Sequence, residues 1–92
     1  MYDLEAFANI ATAIAEWQVA AQQTPLPELT DMVATCQLDL AKSLDTFNAL
    51  CLGNPREDEL AIALGAIARR ATAAAIFALG IAHRIRLQAQ QN

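Results

Sequence analysis

Turn-forming residues are scarce in this chain, with three glycines and three prolines among 92 residues. An all-β fold of this length needs many more turn positions than that, so strands joined by tight turns are excluded. Chemistry-bearing side chains are scarce too. Serine occurs once, as Ser43, and histidine once, as His83. No Asp, Glu or Cys lies three or four residues from His83 to complete a metal pair, and no acid follows Glu59 anywhere. Nothing in the spacing of Ser43, His83 and the acids suggests a nucleophile–base set.

The two cysteines, Cys36 and Cys51, stand 15 residues apart in one helical segment. At a helical rise that is roughly 22 Å, against the roughly 7 Å between Cα atoms that a disulfide tolerates. Their spacing also fits no zinc module. They read as free thiols in a reducing compartment. The chain opens Met-Tyr-Asp-Leu-Glu, without the basic start of a secretory signal. The uncharged run 71–82 is 12 residues long and follows the pair Arg69-Arg70. A membrane span needs about 20 apolar residues, so none is expected and the chain reads as cytoplasmic. No catalytic, cofactor-binding or metal-ligating residue is expected.

Alanine is abundant, at 21 positions, and with Leu, Gln, Glu and Arg it gives a composition of strong helix formers. Three helices are expected, at about 3–22, 27–52 and 55–90, forming an up-down-up all-α bundle in one domain, 1–92. In the first, Phe7, Ile10, Ile14, Trp17 and Ala21 recur at spacings of three and four, flanked by Leu4 and Ala11. Asp3 and Glu5 suit its positive end. The pair Pro25 and Pro27 breaks the chain before the second helix. There the stripe is Leu29, Val33, Cys36, Leu40, Leu44, Phe47 and Leu50 or Cys51, with Leu38 left on the wet side.

Gly53-Asn54-Pro55 predicts a tight helical hairpin. Gly53 suits a left-handed helix end, Asn54 an N-cap, Pro55 the first helical position, and the acids Glu57-Asp58-Glu59 the first turn. The third helix is the longest and carries more than one apolar face. Leu60, Leu64, Ile67, Ala71, Ala74, Ala78, Ile81 and Ile85 predict its core stripe. Ile62, Ile76, Gly80 and Leu87 form a second stripe roughly opposite, broken by Arg69, and Ala61, Gly65, Ala68, Thr72 and Ala75 form a flat small-residue edge.

The net charge of −4 is unevenly spread. Residues 1–59 carry ten acids and two bases, whereas 60–92 carry four arginines and no acid. Hairpin geometry sets Arg69 and Arg70 near Asp39, an expected salt bridge. Arg84 and Arg86 project beyond the second helix, without an acid of their own. The third helix, roughly 54 Å long, should overhang the others. A second copy is the simplest cover for the overhang and the second stripe, with antiparallel third helices bringing a basic end near an acidic surface. The sequence therefore reads as a non-enzymatic, self-associating helical module, an adaptor, regulator or assembly component acting as a homodimer. Ile62, Ile76, Leu87, Arg84 and Arg86 are its candidate contacts, and a protein partner is possible. Two alternatives are weaker: a nucleic-acid-associated regulator using the C-terminal arginines, and a bundle that binds an apolar ligand or cofactor around Trp17, Phe7 and Phe47.

Overall fold

Two short breaks, at 24–25 and 53–56, cut the chain into helices. A computed structural model describes the backbone of residues 4–91 and the side chains of residues 9–91. Among the described residues the protein is all-helical, with α1 (Leu4–Gln23), α2 (Leu26–Leu52) and α3 (Glu57–Gln91) and no strand. Asp3 and the side chains of Leu4, Glu5 and Phe7, assigned to the first helix by sequence, lie outside the described residues.

At the first break Pro25 sits at φ −56°, ψ 145°, an extended conformation that turns the chain. The Thr24 amide closes α1 on the Ala20 carbonyl at 2.9 Å, and the Leu29 amide opens α2 on the Pro25 carbonyl, also at 2.9 Å. Pro27 then lies in the first turn of α2, where its missing N–H has no helical acceptor to lose.

The second break corrects two expectations. Gly53 is not left-handed: at φ −91° its backbone is open to other residues. Its amide donates to the Leu50 carbonyl at 3.1 Å, a three-residue closure that tightens the last turn of α2. Nor do Asn54 and Pro55 start the third helix. It begins two residues later, and the Arg56 carbonyl takes the first helical bond, from the Leu60 amide at 3.1 Å. Arg56 Nε reaches Glu59 Oε1 at 2.9 Å and Asp58 Oδ1 at 3.5 Å, while Asp58 accepts the Glu59 amide at 3.0 Å. Three carboxylates at a positive helix end favour this start, and Arg56 bridges two of them.

α3 is the central element. It packs along both α2 and α1, while α1 and α2 touch each other little. The core is off-centre. Ala21, Leu29, Ala73 and Phe77 are buried together, ringed by Trp17, Ala20, Met32, Val33, Cys36, Ile76 and Ile81. All of these lie toward the α1–α2 turn. The stripes on α1 and α2 largely follow expectation: Ile10, Ile14, Trp17 and Ala21, then Leu29, Val33, Cys36, Leu40, Phe47 and Leu50, are buried or half-buried, while Leu44 and Cys51 are exposed. Leu38 is exposed as expected.

On α3 the interior line is rotated. Residues 63, 66, 70, 73, 77, 80 and 84 are buried or half-buried, one position back from the expected stripe at each turn. That is about 100° around the helix. Leu64, Ala78 and Ile85 are consequently exposed. The cause is Phe77, which is only 4% exposed and outweighs any single aliphatic on the competing face. On the same line, Gly80 comes against Ala21.

The molecule measures 57 × 26 × 17 Å, with a radius of gyration of 16.0 Å. A compact domain of this length has about 12 Å.

Candidate interaction surface

The residues singled out by sequence divide into two groups. Ile62 is 74% exposed, and Leu87 and Arg86 are exposed as well. Ile76 is half-buried and packs against the core cluster, so the second stripe is interrupted there. Sequence spacing showed the stripe but not which helix would lie on it.

Arg84 is the main correction. It is half-buried, and its Nη1 donates to the Thr24 carbonyl and lies 3.4 Å from the Ala21 carbonyl. These carbonyls are at the C-terminal end of α1, where helical acceptors lack partners and the dipole is negative. α1 has no basic residue in its last turn. Arg84 supplies that cation from 60 residues further along the chain. The reading of Arg84 as projecting without a partner considered only acids, and its partners are carbonyls. Arg86, two residues on, is exposed with no ion pair among the described residues.

The Asp39 salt bridge does not form either. The Arg69 guanidinium stacks over Trp17, 5.5 Å from the ring centroid, and Arg70 Nη1 lies 3.4 Å from the Ala66 carbonyl on its own helix. Asp39 shares the lining of a small cavity with both arginines, without reaching them. It also borders a larger groove of about 480 Å³ between α2 and α3, whose sides include Lys42, Thr46, Glu59, Ile62 and Arg70.

The uncovered face of α3 lies away from both other helices. Ala61, Leu64, Gly65, Ala68, Ala75, Ala78, Leu79 and Ile85 are exposed there, with Ala71, Thr72 and Ala82 half-buried among them. A Cβ built on Gly65 would meet nothing within 4 Å. Leu79 is 68% exposed and Leu64 50%. No charge interrupts the face between Glu57 at one end and Arg86 at the other. Thr72, its one hydroxyl, donates to the Ala68 carbonyl at 2.7 Å, which satisfies the group within its own helix. The small-residue edge read from sequence is the middle of this face. Leu79, its largest exposed side chain, belonged to no stripe in that reading.

The thiols stay apart. Cys51 is exposed and Cys36 half-buried, and both are free. Burial pushes the Cys36 thiol above its ordinary pKa, and the Asp39 carboxylate adds to the rise. Among the described residues no three His, Cys, Asp or Glu side chains come together as a metal site.

By length and composition α3 could cross a membrane, with a mean hydropathy of 1.6 over its best stretch and 11% of that stretch buried. The sequence offers the same stretch as the window 60–82, with the pair Arg69-Arg70 at its middle. A core helix of a soluble protein would be mostly buried, so the low burial marks the same uncovered face. The chain matches no family model, no curated protein and no solved structure.

Proposed function

We propose that this protein is a non-enzymatic helical module that works by self-association, with α3 as the shared element of a homodimer. The observation that carries the reading is the uncovered face of α3, apolar over about seven turns from Ala61 to Ile85. Contiguous apolar surface of this kind marks an interaction site. The accessible area points the same way. It is 6762 Å², against about 5,200 Å² for a compact monomer of this mass. The excess is larger than the roughly 800 Å² that each partner contributes to a standard interface.

The groove between α2 and α3 mixes Leu50, Ile62, Ala63 and Ala66 with Asp39, Lys42, Glu59 and Arg70, and it lies apart from Trp17, around which an apolar ligand was expected. The nucleic-acid alternative loses Arg84 to the α1 carbonyls, leaving Arg86 with little to build a polyanion site. An aqueous homodimer fits the exposed acids Glu28, Asp31 and Asp45 of α2 better than a membrane-embedded chain does.

Light scattering coupled to size exclusion reads the mass directly. About twice 9.9 kDa at tens of micromolar is expected. A fully helical monomer would overturn the proposal, as would a chain that is monomeric in buffer and floats quantitatively with neutral phosphatidylcholine vesicles.

A further inference from the structure

We infer that the partner of α3 is the α3 of a second copy, running antiparallel, in the register that sets residue i opposite residue 143 − i. The inference rests on the dimer proposed above and specifies its geometry. It begins from the spacing of small residues on the free face. Ala61, Ala68, Ala75 and Ala82 repeat every seven residues, which keeps one line of a helix against a partner with slight supercoiling. Side chains this small let two helix axes approach to about 8 Å, the near end of the usual range.

Charge selects the direction. Glu57 and Arg86 end the face, with no charge on it between them. Parallel helices would set Glu57 against Glu57 and Arg86 against Arg86. Antiparallel helices set Glu57 of each chain against Arg86 of the other, twice per dimer. Arg86 is exposed and has no ion pair among the described residues, so it is available for this contact.

Size selects the register. With residues paired to a sum of 143, Ala61 meets Ala82 and Ala68 meets Ala75, small against small in both of these layers. Leu64 meets Leu79, two of the three large exposed side chains of the face, Gly65 meets Ala78, and the third, Ile85, falls opposite Asp58 at the edge. Ala71 meets Thr72 beside the two-fold axis, where the Thr72 hydroxyl already has its acceptor in Ala68. A shift of one heptad in one direction puts Glu57 opposite Leu79. The opposite shift puts Arg86 opposite Leu64. Both break the ion pair and the Leu64–Leu79 layer together.

The test uses the full chain with Cys36→Ala and Cys51→Ala, so that introduced thiols are the only ones. Leu64→Cys and Leu79→Cys are each made in that background. Both positions are exposed, so folding should tolerate the changes, and circular dichroism checks this. Mixed and oxidised, the two variants should give a covalent heterodimer, and each alone should give little. Leu64→Cys linking to itself efficiently would mean parallel helices and would overturn the inference. An independent readout comes from charge. Glu57→Arg should raise the dimer Kd about tenfold, since both symmetry-related ion pairs become repulsions, and adding Arg86→Glu should restore it. No change with Glu57→Arg would also overturn the register. A monomer by light scattering removes both this inference and the dimer. A dimer with the wrong cross-link removes the register alone.

Discussion

Gly80 lies against Ala21 so closely that a Cβ built on the glycine would stand 2.7 Å from the Ala21 Cβ and 3.4 Å from its carbonyl oxygen. This approach lets α1 dock on α3 and brings the α1 carbonyls within reach of Arg84, one turn further on.

Gly80→Ala should therefore destabilise the protein. Alanine gains about 1 kcal/mol of helix propensity over glycine, but the clash falls on a Cβ and a backbone oxygen that cannot swing aside. A net loss of about 1–2 kcal/mol is expected, at the scale of overpacked cores. Gly65→Ala is the control. With nothing within 4 Å, it should stabilise by up to about 1 kcal/mol. Urea unfolding of the two variants by circular dichroism checks the opposite signs.

Leu29 has no exposed surface at all. Leu29→Ala should cost about 2–5 kcal/mol, the range for large-to-small changes in a core. Leu52→Ala, at a side chain 90% exposed, should stay within about 0.5 kcal/mol. Denaturant midpoints at equal slope give both values.

Arg84 and Arg86 should behave differently despite their proximity. Arg84→Gln removes a charged donor from the end of α1 and should cost about 1.5–3 kcal/mol, the scale of a hydrogen bond to a charged group. Arg86→Gln should change the stability of the isolated chain by less than about 0.5 kcal/mol. Thermal melts at concentrations low enough to keep the chain monomeric separate folding from association.

The two thiols should label at different rates. Cys51 is exposed, while Cys36 is half-buried with its pKa raised. Iodoacetamide at neutral pH should modify Cys51 first, followed by mass spectrometry of the peptides. The raised pKa also carries a sign for stability. The folded chain holds the Cys36 proton more tightly than the unfolded chain, so the contribution is fully present below about pH 8.5, the ordinary thiol value, and falls as pH rises through the folded pKa. Cys36→Ser should flatten that alkaline decline.

Helix number, order and the α1 and α2 stripes were legible because their apolar residues repeat at spacings that admit one face. α3 was harder, since alanine and large aliphatics occur on nearly all sides and periodicity allows several rotations. Phe77 and Gly80 set the rotation, one by bulk and the other by the absence of a side chain. Neither property is periodic. The hairpin between α2 and α3 was found from Gly53-Asn54-Pro55, but its hydrogen bonds went to Arg56 and the acids, which compete for the same helix start. Of the candidate contacts, Ile62, Leu87 and Arg86 are exposed. Ile76 and Arg84 are engaged within the chain, one against the core cluster and the other at the carbonyls ending α1.

The displaced core has a kinetic consequence. Its buried cluster ties Ala21, Leu29, Ala73 and Phe77 at one end, while toward the hairpin Ala63 is the one buried residue of α2 and α3 among those described. Opening should need least free energy at the hairpin, where few apolar contacts must break. In an isolated chain, amides of Leu44–Leu52 and Glu57–Ala63 should exchange with deuterium well before those of Met32–Cys36 and Ala73–Phe77. Each helix of the hairpin would then fray from the same end, and the slowest-exchanging amides would mark the place where all three helices meet.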